Sequence, residues 1–178
     1  MAALNFKTDT RIENGERELL RDFCSELGGN IVELARAMGV KVFSEELWPY
    51  ESGYLEYAPT CGSLSNYRIV INSRHKPERQ RFTVAHELAH FLLHRDKSDF
   101  VVRCETRHRS DDYFEYMLDP GEPLKEREAN AMAAAILLPP NLFVPAFQRL
   151  NGDLCRVAAL FEVSVPAVQK RAKELGCS

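Results

Sequence analysis

The run His86-Glu87-Leu88-Ala89-His90 sets two imidazoles four residues apart with a carboxylate beside the first. Four residues of helix make slightly more than one turn, so both rings leave one face about 6 Å apart along the axis. Two nitrogens so placed can reach a single zinc ion at roughly 2.0–2.1 Å. Glu87 can then take a proton from a metal-bound water without occupying a coordination position. The flanking residues Phe82, Val84, Ala85, Leu88, Ala89, Phe91, Leu92 and Leu93 are apolar on nearly every side, which describes a helix buried all round. Two histidines and a glutamate inside such a helix carry a desolvation cost that a metal offsets. The competing explanation is a chance string whose histidines only hydrogen-bond within a core. His94 lies on the same face, but three histidines spaced this way span about 12 Å and cannot all surround one ion. It reads as a helix-end residue favoured by the dipole, or as an outer-shell or substrate-side group.

A catalytic zinc takes three protein ligands and an open position. The best source of the third is the alanine-rich stretch that begins Glu126-Arg127-Glu128-Ala129-Asn130. Glu126 and Asn130 share a face, so the carboxylate can bind while the amide orients a ligating side chain from behind. Spacing alone does not separate Glu126 from Glu128, and a plain core helix with its glutamates in water fits the same pattern. The alanines from Ala129 to Ala135 allow close approach to a neighbour that offers Ala85 and Ala89.

Two helices must therefore carry the site. One follows Pro77 and runs to about His94; the other runs from about Pro123 to Leu138 and is stopped by Pro139-Pro140. Upstream, Leu19, Leu20, Phe23, Cys24 and Leu27 repeat at helical spacing up to Gly28-Gly29. Asn30 with Glu33 forms a capping-box-like start for a helix that Gly39 closes. Val40–Phe43, Gly53–Tyr57 and Tyr67–Asn72 have the short β-branched and aromatic character of a small antiparallel sheet. The stretch Arg95–Gly121 reads as loop, with Phe100–Cys104 as an extra strand. The class is α+β. Residues 1–140 are expected to form the core and residues 141–178 a tail of two or three short helices packed on it.

Composition narrows the function. The chain has 178 residues, 45% hydrophobic and 28% charged, with 23 basic against 26 acidic residues and a formal net charge of −3. This is an ordinary globular mixture rather than a basic nucleic-acid coat. No apolar run reaches membrane length, and Met1–Asp9 lacks the pattern of a signal peptide. Five scattered cysteines (Cys24, Cys61, Cys104, Cys155, Cys177) without a CxxC suit a reducing, cytoplasmic interior.

The phrase RQRFTVAHELAHFLLH at Arg79–His94, followed by ExxAN-x-x-AA-x-x-LLP at Glu126–Pro139, resembles the ImmA/IrrE family of metallopeptidases. A looser likeness runs through Gly39–Val42, Ser52-Gly53 and the RIVIN strand at Arg68–Asn72, covering roughly residues 30 to 175. Met132 stands where that family often has an aromatic, and Pro140 doubles the terminal proline. The resemblance implies a zincin-like fold with one zinc ion per chain held by His86, His90 and Glu126. It also implies Glu87 as the catalytic residue and Asn130 in the outer shell. It further implies metal-assisted hydrolysis of a peptide bond in a protein substrate, with a helix-turn-helix transcriptional repressor as the leading target. An extended substrate could add to an exposed sheet edge at Gly53–Tyr57. Tyr54, Tyr57, His75, His94, His108 and Tyr113 are candidates for stabilising the oxyanion, and the sequence does not choose among them.

The tail supplies a rival function. Ala158, Val163-Ser164 and Val168 resemble a helix-turn-helix, with Ser164 as cap, Glu162 where a turn glycine is usual, and Pro166 in a first turn. Lys170, Arg171 and Lys173 could meet phosphates, which would make the chain a DNA-binding regulator with a structural metal site. The segment is only mildly basic, and packing or substrate docking is the preferred role. Cys104 and His108, and Asp111-Asp112, read as ordinary loop. Trp48, Tyr50, Tyr54 and Tyr57 read as an aromatic cluster in core or sheet packing.

Overall fold

The structure, a computed structural model, describes residues 8–95, the strand at 101–105 and residues 124–177. His108, Asp111-Asp112 and Tyr113 lie outside the described residues. The fold is α+β, in the order α1 (Asn14–Phe23), α2 (Ile31–Ala37), β1 (Lys41–Glu45), β2 (Glu51–Tyr57), β3 (Tyr67–Asn72), α3 (Pro77–His94), β4 (Val101–Glu105), α4 (Leu124–Leu137), α5 (Pro140–Arg149), α6 (Leu154–Phe161) and α7 (Val165–Glu174). Local chemistry sets several boundaries. The Asn30 side chain accepts from the backbone N–H groups of Val32 and Glu33 to start α2, and Gly39 follows the helix at φ 79°. Pro139 and Pro140 end α4 and at the same time cap and begin α5.

The strands lie in the order β1-β3-β2-β4. The sheet is antiparallel except for one pair: β1 runs parallel to β3, with Val42 opposite Ile69 and Ser44 opposite Ile71. The expected wholly antiparallel sheet is corrected there, because the chain inserts the β2–β3 hairpin before β3 returns beside β1. The edge reading is corrected too. Gly53–Tyr57 is paired on both sides, by β3 and by β4, so β2 is interior. The edges among the described strands are β1 and β4.

Helix α3 lies along β2 and β3 and packs most extensively against α4. Every residue from Phe82 to Leu93 is buried, as its all-round apolar sequence requires. Ala85, Ala89, Ala129 and Ala133 are fully buried, so small side chains occupy the interior of both helices. Gly53 makes the β2–α3 approach possible: a Cβ there would fall 2.4 Å from the Val70 carbonyl oxygen and 2.7 Å from Thr83 Cγ2.

Phe143, Val157, Phe161 and Val168 from α5–α7 share one apolar cluster with α3 and α4. Arg171 donates from Nε to the Leu138 carbonyl at 3.0 Å, Asn141 donates to the Cys24 carbonyl at 2.9 Å, and Arg81 reaches Glu162 at 3.5 Å. The α6–α7 turn has helix-turn-helix chemistry: Glu162 takes the left-handed conformation at φ 54°, and Ser164 caps α7 through the Ala167 N–H. Arg171, one of three basic residues that could meet phosphates by sequence, is instead buried against the end of α4. The aromatic cluster is corrected as well. Trp48 and Tyr50 stack on each other but are 67% and 57% exposed, whereas Tyr57 packs edge-on against Tyr67. Among the described residues, no single helix is long and apolar enough to cross a membrane.

Candidate metal centre

The middle of α3 presents His86 and His90, each 1% exposed, with their Nε2 atoms 3.1 Å apart. From α4, Glu126 extends one carboxylate oxygen to each ring: Oε2 lies 3.3 Å from His86 Nε2 and Oε1 lies 3.2 Å from His90 Nε2. One ligand atom from each of the three falls within 4.8 Å of the others. Glu126 is therefore separated from Glu128, which turns away to pair with Arg11 at 2.9 Å.

These spacings fit a cation. Ligands at about 2.0–2.1 Å from a tetrahedral ion stand about 3.3 Å apart, close to the nitrogen–nitrogen and nitrogen–oxygen separations present. Two imidazole nitrogens 3.1 Å apart, with a carboxylate completing the triangle, bring three potential ligand atoms together. Burial pushes the Glu126 carboxyl up, but hydrogen bonds from His86 and His90 outweigh it and hold the group well below the usual carboxylate range. The third donor is thus anionic at neutral pH, as a divalent ion requires.

Glu87 directly follows His86, is fully buried, and contributes no atom to the three-donor cluster. Asn130 is buried on α4 one turn beyond Glu126. His94 is not in the cluster; its Nε2 donates to the Lys125 carbonyl at 3.1 Å and lies 3.6 Å from Glu128.

The oxyanion candidates narrow. The site for a Cβ on Gly53 faces Thr83 of α3, so the next residue, Tyr54, points to the opposite sheet face. Tyr57 packs into the core, and His75 meets the Pro49 carbonyl at 3.3 Å. Sequence reasoning missed Arg11 and the pairing of Arg95, at the end of α3, with Glu13 and Glu16 of the N-terminal segment. Charged residues near a chain start carry no pattern that would have singled them out.

Residues 35–173, most of the chain, match the family described as the IrrE N-terminal-like domain, Peptidase_M78. The chain belongs to the ImmA/IrrE family of metallopeptidases. It is similar to the radiation response metalloprotease IrrE of Deinococcus deserti, 45% identical over 74 residues, which are 42% of this chain and 23% of that protein. The radiation response metalloprotease IrrE of Deinococcus radiodurans is 38% identical over 99 residues, 54% of this chain and 27% of the relative. The chain thus spans about a quarter of the length of these curated relatives. A Mycobacterium tuberculosis transcriptional regulator shares the fold, with a TM-score of 0.54 at 20% identity over 94% of this chain and 50% of its own. The cluster of His86, His90 and Glu126 could hold a metal ion and is compatible with a zincin-like site.

Proposed function

We propose that this chain is a zinc-dependent metallo-endopeptidase that hydrolyses a peptide bond in a protein substrate, a transcriptional repressor or other regulator. The observation that carries the reading is the convergence of His86, His90 and Glu126 inside a helix that also buries Glu87. Two imidazoles and one carboxylate that leave a fourth position open form one of the donor sets of catalytic zinc. When bound, it would supply Lewis acidity, lowering the pKa of a water and polarising the scissile carbonyl.

The remaining work falls to the chain itself. Glu87 takes the proton from the attacking water and returns it to the leaving amine. Burial of α3 keeps bulk water away from this exchange and strengthens each electrostatic contact. Asn130 supports the site from behind on α4. An extended substrate strand adds at the outer edge of β4 rather than on β2, whose two sides are already paired. A cytoplasmic setting is supported by Cys24, Cys61, Cys155 and Cys177, all free thiols.

The competing reading, a DNA-binding regulator with a structural metal, draws support from the helix-turn-helix form of α6–α7. It loses Arg171, whose guanidinium is occupied by the Leu138 carbonyl and by Glu174. The deciding experiment offers the purified chain a helix-turn-helix repressor as substrate, chosen from the genes that neighbour its own where one of them encodes such a protein. One zinc per chain, and a Glu87→Gln variant that keeps zinc while cleavage slows about 10²–10⁴-fold, is the expected result. Cleavage by Glu87→Gln at the rate of the unaltered chain would refute the assignment.

A further inference from the structure

Glu126 is the third residue of α4, in its first turn. Helix ends fray more readily than helix middles, so a tertiary contact at this turn bears on how firmly the donor is held. His94, the last residue of α3, provides such a contact. Its side chain is 5% exposed, and its Nε2 lies 3.1 Å from the carbonyl oxygen of Lys125. A carbonyl only accepts, so Nε2 carries the proton and the tautomer is fixed by its partner. The Lys125 carbonyl and the Glu126 N–H belong to one planar peptide unit. Anchoring that oxygen orients the plane from which the Glu126 side chain departs.

We propose that His94 is a positioning residue for Glu126, and that its bond to the Lys125 carbonyl sets how tightly the site holds a divalent cation. The inference rests on the metal reading of the preceding section. One helix then does two tasks in register: His86 and His90 face the ion, and one turn further His94 fixes the peptide that delivers the third donor. The His90 and His94 rings lie 5.4 Å apart, which joins the two tasks in one packed column. Arg11 adds a second tie to α4 through Glu128, but that pair is 38% and 22% exposed and solvent screening leaves it weak.

The test measures zinc affinity of the full chain by competition with a chromogenic chelator, alongside thermal unfolding of each metal-free form. His94→Phe keeps a packed ring and removes the donor; His94→Gln keeps an N–H donor and removes the ring. Should His94→Phe fail to fold, His94→Met reads the same loss. The expected outcome is a weakening of about 10–100-fold for His94→Phe, the usual cost of losing an outer-shell partner, with recovery of most of it in His94→Gln. Arg11→Ala should change affinity little. Equal zinc affinity in His94→Phe and the unaltered chain, or equal weakening in Phe and Gln variants, overturns the proposal while leaving the metal reading intact. An unaltered chain that takes up no zinc overturns both.

Discussion

Glu126 and Glu128 stand two residues apart on α4 and serve different partners: Glu126 meets both His86 and His90, whereas Glu128 pairs with Arg11. A single turn thus divides one carboxylate for the ion from one for the N-terminal segment. Neutralising them separately should give opposite results. Glu126→Gln is expected to weaken zinc binding by more than the roughly 10–100-fold that an outer-shell loss costs. Glu128→Gln should keep a full complement of zinc. Metal content after gel filtration checks both, and loss of zinc from Glu128→Gln alone would reverse the assignment of the third donor.

Burial, with a smaller push from His90, holds the His94 imidazole below its ordinary value of 6.5. Between that ordinary value and the lower folded one, the unfolded chain binds the proton more readily than the folded chain. The stability linked to His94 is therefore complete above about pH 6.5 and is lost as the pH falls toward the folded value. In the presence of a chelator, Tm should drop on moving from pH 7.5 to pH 5.5, to a smaller extent in His94→Gln. An identical drop in both would show that other groups account for the acid limb.

How much of this was legible follows from where the information resides. His86, Glu87 and His90 could be read because their chemistry fits within five consecutive residues, and an all-apolar flank admits few interpretations. The capped starts at Asn30 and Ser164 were legible for the same reason: a cap is made by residues two or three apart. Direction and adjacency in the sheet were not. The alternation in Lys41–Glu45 reports which face is buried and nothing about whether its neighbour runs parallel, and Gly53–Tyr57 carries no mark of an interior strand. Glu126 and Glu128 are equivalent until α3 is placed beside α4. Arg171 looked like a surface cation because its acceptor, Leu138, is 33 residues away.

Gly53 tests the packing that keeps α3 against the sheet. Its virtual Cβ lies 2.4 Å from the Val70 carbonyl oxygen, a backbone atom tied into the ladder, and 2.7 Å from Thr83 Cγ2. Neither can retreat without moving β3 or α3, and overpacking of this kind costs about 1–3 kcal/mol or more. Gly53→Ala should lower the denaturation midpoint and loosen zinc together, because Thr83 lies less than one turn before His86 on α3. Gly15→Ala, where a Cβ meets nothing within 4 Å, should do neither.

Arg171 separates the two readings of the tail. Its side chain is 10% exposed and bonds the Leu138 carbonyl, so Arg171→Ala leaves a buried acceptor unmet, at about 1–3 kcal/mol. For a chain of this size each kcal/mol shifts Tm by about 2–4 °C. Lys173 is exposed on α7, and Lys173→Glu should leave Tm nearly unchanged. If the tail packs and docks substrate, neither variant alters duplex DNA retention at physiological salt, since there is none to alter. If instead α7 meets phosphates, the chain binds duplex with a steep salt dependence, and Lys173→Glu weakens binding on every sequence while lowering that slope by about one. A salt-dependent mobility shift of duplex DNA, abolished by Lys173→Glu with zinc content unchanged, would move the assignment from peptidase to regulator.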